Sequence, residues 1–195
     1  MRILKVLKNI WAQLHRFVFW AILLGIFWCW IYTFVGDPPR EKKVVVYVDA
    51  YALERRALAL RLEEEHLPQG LKMIQVRSFD YDIFGDSLNG DVYLMKESIL
   101  RATMEESPEK LAPIRIPAGK EGWSWQDEIY GIKVFDAATQ QAPAMRYILY
   151  AIPDRPEPED YYLCFDAASP HLETQPGALD NAAWEVAMNL LALDD

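Results

Sequence analysis

A run of 19 residues without a charged side chain, residues 17–35, constrains this chain more than any other feature. At about 1.5 Å of rise per residue, a helix of this length spans roughly 28 Å, close to the ~30 Å hydrocarbon core of a bilayer. A buried helix of a soluble protein is the alternative interpretation, but such a helix keeps a polar face and the aromatic residues here leave none. The run therefore predicts a transmembrane helix.

The flanking charges predict the orientation of this helix. Arg2, Lys5, Lys8 and Arg16 precede the run, and no acidic residue comes before Asp37. By the positive-inside rule, this asymmetry places the N-terminus in the cytoplasm, although three basic residues soon after the run reduce the contrast.

Two processing signals are alternatives to a retained anchor. The apolar run is longer than the 7–15-residue core of a signal peptide, and no small-x-small cleavage site follows it. Bulky residues precede Cys29, so a lipoprotein signal is disfavoured as well. We predict a single-pass cell-membrane protein with a cytoplasmic N-terminus (1–16), a membrane helix (17–35), a linker (36–42) and an extracytoplasmic domain (43–195).

The charge of the domain limits its partners. The chain has 20 basic and 29 acidic residues, and the 159 residues after position 36 carry a net charge of −13. A surface this acidic repels phosphate backbones, so we predict no nucleic-acid partner. The simplest interpretation of the charge itself is solubility.

Sequence motifs for catalysis or metal binding are lacking. The three histidines show no metal-ligand spacing, and Asp80, Asp82 and Asp86 do not fit the EF-hand calcium pattern. The short motifs of hydrolases, metalloproteases and phosphate-binding loops do not occur either. We therefore predict no metal, no cofactor and no enzymatic activity, and we interpret Cys164 as a small core residue rather than a nucleophile.

The first half of the domain alternates between strand and helix patterns. The β-branched run Lys43–Val48 predicts a strand buried on both faces, and residues 52–67 are rich in helix formers. Further strands are predicted over 71–76 and 91–95, and Ser98 is a candidate N-cap for the helix that follows. This order predicts a three-layer α/β domain with a mostly parallel sheet and helices on both faces.

The second half has weaker patterns. Residues 122–125 are predicted to form an exposed loop, and residues 129–135 a strand. Strands over 144–152 and 161–166, joined by a proline-rich link, are predicted to form an antiparallel pair. An amphipathic helix over 180–193 closes the chain.

Three segments, taken in order, resemble the extracellular solute-binding proteins of bacterial ABC importers. They are KVVVYVDAY at 43–51, GDSLNGDVYLMKES at 85–98 and IYGIKVFD at 129–136. The resemblance implies a fold like one lobe of a type 2 periplasmic-binding protein and a role in capturing a small solute for an ABC transporter. Those proteins have two lobes and this chain has room for one, so the alternative is a relative that docks a transporter permease or another envelope protein without binding solute.

Ligands of open α/β sheets bind beyond the carboxyl ends of the strands. The polar or aromatic residues at the predicted strand exits are Asp49, Tyr51, Ser78, Asp80, Tyr81, Lys96, Glu97, Ser98 and Asp136. Trp123 and Trp125 add aromatic faces that stack on a sugar or a cation or, alternatively, pack against the domain. The surrounding acids favour a neutral or cationic solute such as a sugar, polyol or amine. Helix capping and turn formation are the alternative roles of the polar residues.

Overall fold

The computed structural model of the chain describes residues 2–79, 89–152, 158–175 and 177–193, in two compact units, Met1–Pro39 and Arg40–Asp195. The first unit is helix α1 (Arg2–Gly36). Its segment Gln13–Tyr32 is long and apolar enough to cross a membrane, and a signal sequence near an N-terminus meets the same criteria. The predicted candidate span is therefore present as one continuous helix.

The second unit combines helices and strands. Its α-helices within the described ranges are α2 (Arg55–His66), α3 (Glu97–Glu106) and α4 (Ala182–Ala192). The strands there are β1 (Lys43–Val48), β2 (Ala52–Leu53), β3 (Met73–Ser78), β4 (Val92–Lys96), β5 (Gly122–Trp125), β6 (Glu128–Phe135), β7 (Ile148–Leu149) and β8 (Tyr161–Phe165). Single 3-10 turns precede β1 and follow α3.

Six of these strands form one sheet in the order β3-β1-β4-β8-β6-β5, and β2 pairs with β7 in a separate small sheet. Strand β1 is parallel to β3 and β4, whereas β8 is antiparallel to β4 and β6, and β5 is antiparallel to β6. Strands β3, β1, β4 and β6 therefore share one direction. The predicted mostly parallel α/β sheet is confirmed by strand direction, with an antiparallel strand inserted between β4 and β6.

Several predictions for the second half are wrong. Strand β8 does not pair with residues 144–152; it lies between β4 and β6, because its five apolar or aromatic side chains need cover on both faces. Within 144–152 only Ile148–Leu149 is a strand, and it pairs with β2. That pairing draws Ala52–Leu53 out of the predicted helix. Residues 122–125, predicted as a loop, form edge strand β5.

Helices cover both faces of the sheet, as a three-layer domain requires. Val44 and Val46 of β1 pack in one buried cluster with residues of α2 and α4. Val45 and Tyr47 of the same strand face the opposite way and pack in a second cluster with residues of α3. Alternation along β1 therefore supplies both halves of the core.

The strand ends define two edges of the sheet. We call the edge at which β1, β3, β4 and β6 end the carboxyl edge. The opposite edge, where these four strands begin and β8 ends, is the amino edge.

Candidate functional site

The carboxyl edge contains a topological switch point. From β1 the chain passes through α2 to β3 on one side of β1, and it then returns to form β4 on the other side. The helices that follow the neighbouring strands β1 and β4, α2 and α3, pack on opposite faces of the sheet, so the chain diverges where these two strands end. In open α/β sheets, such a divergence creates a crevice in which ligands bind.

Asp49, Lys96 and Tyr51 meet at this switch point. Asp49 directly follows β1, and Lys96 is the last residue of the neighbouring strand β4. The Nζ of Lys96 lies 3.6 Å from Oδ2 of Asp49 and 4.6 Å from the centroid of the Tyr51 ring. Asp49 is 9% exposed and Tyr51 is 41% exposed, so the charged pair lies beneath an accessible aromatic side chain.

The carboxylate of Asp49 is incompletely satisfied. Its Oδ2 atom is buried and has no hydrogen-bond donor among the described residues. The 3.6 Å separation from Lys96 permits ion pairing but is longer than a hydrogen bond. Burial raises the pKa of the Asp49 carboxyl group, and the attraction of Lys96 offsets only part of that rise. A ligand hydroxyl or ammonium group that reached this atom, which has no exposed surface, would supply the missing donor.

Three further charged residues that were not predicted from the sequence lie at this edge: Lys133, Glu159 and Asp160. Lys133 Nζ lies 2.8 Å from Oδ2 of Asp160, and the backbone N–H of Ser98 donates to Oε2 of Glu159 at 3.1 Å. The hydrogen bond to Asp160 raises the pKa of Lys133 to about 12. The prediction covered only the residues at strand exits, whereas antiparallel β8 brings the residues before its first residue to the carboxyl edge.

Other predicted residues lie along the same edge. Ser78 ends β3 and is exposed. Glu97 begins α3 and forms an ion pair with Arg101 at 2.9 Å. Asp136 follows β6, and its Oδ1 lies 3.7 Å from Lys133 Nζ. These side chains line the edge, but no contact joins them to Asp49 among the described interactions.

Ser98 has a different role from the one predicted. It lies inside α3, whose N-cap position is occupied by Lys96 without a side-chain cap, so the predicted N-cap is wrong. Asp80 and Tyr81 lie outside the described residues, as does the rest of the acidic segment considered for calcium.

The two tryptophans do not join this group. Their rings stack at 5.9 Å with an interplanar angle of 11°. Trp123 is buried in the core beneath α3, and Trp125 pairs with Glu128 towards the amino edge. Of the two roles predicted for Trp123, ligand stacking and packing against the domain, the structure shows packing against the domain.

A groove of about 680 Å³ lies at the amino edge. Its apolar wall comprises Ile114, Ile129, Leu172 and Trp184, and Arg115 and Asp127 lie on its polar side. The groove could not be predicted from the sequence, because its walls come from three segments far apart in the chain. The volume falls in the range of small-molecule sites.

Cys164 carries no reactive thiol. Its side chain is fully buried in the core, and burial raises the pKa of the thiol, which disfavours the thiolate. The prediction that Cys164 is a core residue is confirmed.

Comparisons of the chain with protein-family models, curated proteins and solved structures found no match. The likeness to solute-binding proteins therefore stays a prediction from the sequence.

Proposed function

We propose that this protein is a membrane-anchored, extracytoplasmic domain that resembles one lobe of a solute-binding protein and binds a small solute at the carboxyl edge. In this proposal α1 is a retained anchor with its N-terminus in the cytoplasm. The solute is passed to an ABC transporter. The observation that carries the proposal is the buried Asp49 oxygen without a hydrogen-bond donor, beside Lys96 at the switch point.

The chemistry of the site supports a neutral or cationic solute. A buried acceptor without a donor costs free energy, and a ligand hydroxyl or ammonium group placed there would recover it. Lys96 supplies a donor for a second polar group, and the exposed ring of Tyr51 supplies a face for a sugar or an amine. The acids Glu159 and Asp160 at the same edge oppose an anion.

A second candidate function is docking of an envelope protein without solute. The observation that favours it is a pair of exposed side chains beside the small sheet: Tyr51, just before β2, is 41% exposed and Leu149 of β7 is 44% exposed, and the N–H of Tyr51 donates to the carbonyl of Leu149 at 3.0 Å. Exposed apolar groups side by side are typical of interaction surfaces.

Thermal unfolding of the full chain in lipid nanodiscs, with a panel of sugars, polyols and amines, tests the first function. A ligand that binds only the folded domain raises its Tm by an amount set by concentration over Kd. We expect a shift with at least one member of the panel. Asp49→Asn and Lys96→Met should remove the shift, whereas Lys72→Met, which changes an exposed lysine elsewhere, should preserve it.

The absence of any shift across the panel would contradict solute binding. A photo-crosslinking residue placed at Leu149 then tests the docking function in native membranes. A crosslink to a transporter permease at Leu149, and none from a matched residue at Glu105 on α3, would support docking.

A further inference from the structure

The amino-edge groove is a second candidate site, separate from the one that carries the proposed function. It lies where β6 begins, at the opposite edge of the sheet from Asp49. Its apolar wall includes the side of Trp184, which also stacks on Phe165 with ring centroids 5.3 Å apart. That contact fixes the indole, so the wall is a preformed apolar surface.

Two side chains of opposite charge border this wall without partners. Across the part of the chain that the structure describes, no hydrogen bond or ion pair engages the side chain of Arg115 or Asp127. Glu128 also lines the groove and accepts a hydrogen bond from the hydroxyl of Tyr130 at 2.9 Å. The groove thus combines one free cation and one free anion with an apolar wall.

The backbone holds both charged residues in defined positions. The N–H of Ile114 donates to the carbonyl of Ile129 at 2.7 Å, which ties the segment bearing Arg115 to strand β6. Asp127 occupies the two-residue turn between β5 and β6, with φ of 49° at Gln126 and 68° at Asp127. The backbone at both positions is therefore ordered, and ligand binding restricts only the two exposed side chains, Arg115 and Asp127.

We propose that this groove binds a small zwitterion with an apolar body, the chemistry of a short apolar peptide. The ligand carboxylate pairs with the guanidinium of Arg115, its ammonium group pairs with Asp127, and its side chains pack on Trp184, Leu172 and Ile129. A simple anion or a fatty acid would satisfy Arg115 and leave Asp127 and Glu128 facing a like charge. A neutral apolar molecule would leave both charged groups unpaired.

Isothermal titration of the full chain in nanodiscs with the dipeptide leucyl-phenylalanine tests this site. We expect the free dipeptide to bind, and its N-acetyl and C-amide derivatives each to bind about tenfold more weakly, because each loses one charge-assisted hydrogen bond. Arg115→Gln should lower the affinity for the free dipeptide by a similar factor, and this variant should bind the free dipeptide and its C-amide equally well. Asp127→Asn should likewise lower the affinity for the free dipeptide, and this variant should bind the free dipeptide and its N-acetyl form equally well.

Matched variants separate this site from other effects. Arg56→Gln and Glu105→Gln change exposed charges elsewhere, and Asp49→Asn changes the carboxyl-edge site; all three should leave dipeptide affinity unchanged. No heat of binding from the dipeptide at millimolar concentration, or affinity that Arg115→Gln and Asp127→Asn both leave intact, would overturn the proposal. Loss of dipeptide binding in Asp49→Asn would also overturn it, by assigning the ligand to the carboxyl edge.

Discussion

The guanidinium of Arg40 forms a two-pronged ion pair with the fully buried carboxylate of Asp91, with N–O distances of 2.7 and 2.8 Å. The same carboxylate accepts hydrogen bonds from the N–H of Val45 at 2.7 Å and from the hydroxyl of Ser169 at 2.6 Å. Residues from the start of the domain, from β1 and from the segment after β8 thus meet at one buried anion.

Replacing Arg40 should destabilise the domain strongly. Arg40→Met leaves a buried carboxylate without its counter-charge, and because Arg40 is about one-third exposed we expect a loss of about 2–3 kcal/mol of unfolding free energy. Urea unfolding of the full chain in nanodiscs, followed by tryptophan fluorescence, measures it. Arg56→Met, on the exposed side of α2, is the control. Equal stability of the two variants would show that the Asp91 network does not depend on Arg40.

Asp49→Asn should have an effect on stability that depends on pH. Because burial raises the pKa of Asp49 in the folded domain, the folded state binds more protons than the unfolded state between 3.8 and that higher value. The parent chain therefore loses stability as the pH rises through this window, and the variant does not. Urea unfolding across a pH series should show an advantage of Asp49→Asn that appears as the pH rises above 3.8. A constant difference at every pH would contradict the prediction.

Asp160→Asn should change the pH dependence of the unfolding free energy in the opposite direction from Asp49→Asn. Burial opposes ionisation of Asp160, but hydrogen bonds from the N–H of Ala137 and from Lys133 outweigh it and lower the pKa. The ionised Asp160 side chain contributes fully to the unfolding free energy above pH 3.8. This contribution is lost as the pH falls through the lower pKa of Asp160 in the folded domain. The variant should lose about 1 kcal/mol at neutral pH and show a shallower loss of stability in acid. The control is Glu105→Gln, and the same unfolding series measures both.

The local pattern of the first half was sufficient to predict its elements. A run of β-branched residues at Lys43–Val48 and a stretch of helix formers after it each act through neighbours in sequence, so β1, α2, β3 and β4 were expected near their observed positions. The right-handed connections expected between strands then predicted that β1, β3 and β4 are parallel. For the same reason Asp49, Tyr51 and Lys96 were correctly placed at one edge.

The position of β8 could not be deduced in this way. Strand order depends on which faces and edges remain to be covered after the rest of the chain packs, and this involves residues far apart in sequence. One signal was present, because Tyr161–Phe165 has no polar face and therefore favours a central position. Without that assignment, neither the position of Glu159 and Asp160 at the carboxyl edge nor the groove at the amino edge could be predicted.

The orientation of the chain is testable by chemical labelling. If the basic residues before α1 keep the N-terminus inside the cell, a membrane-impermeant maleimide should label Glu105→Cys in intact cells. It should label Lys8→Cys only after lysis. The unmodified chain is the control for background, since Cys164 is fully buried and Cys29 lies in the apolar part of α1. Labelling of Lys8→Cys in intact cells would contradict the proposed topology.

The turn between β5 and β6 stores strain that a single substitution should relieve. Gln126 and Asp127 both have positive φ, as a two-residue hairpin turn of this type requires, yet neither is glycine or asparagine. Asparagine adopts this conformation more readily than glutamine, so Gln126→Asn should raise the unfolding free energy by about 0.5 kcal/mol. Because Asp127 keeps its position, dipeptide affinity at the groove should not change.

The comparison with Gln126→Val separates turn strain from side-chain contacts. A β-branched residue tolerates positive φ poorly, so Gln126→Val should lower the unfolding free energy. The loosened turn should also lower the affinity for the dipeptide, because Asp127 loses its fixed position. Urea unfolding and isothermal titration on the same preparations measure both effects. Equal stability of the asparagine and valine variants would show that the turn conformation does not limit stability. Unchanged affinity in a destabilised valine variant would show that the groove does not depend on the placement of Asp127.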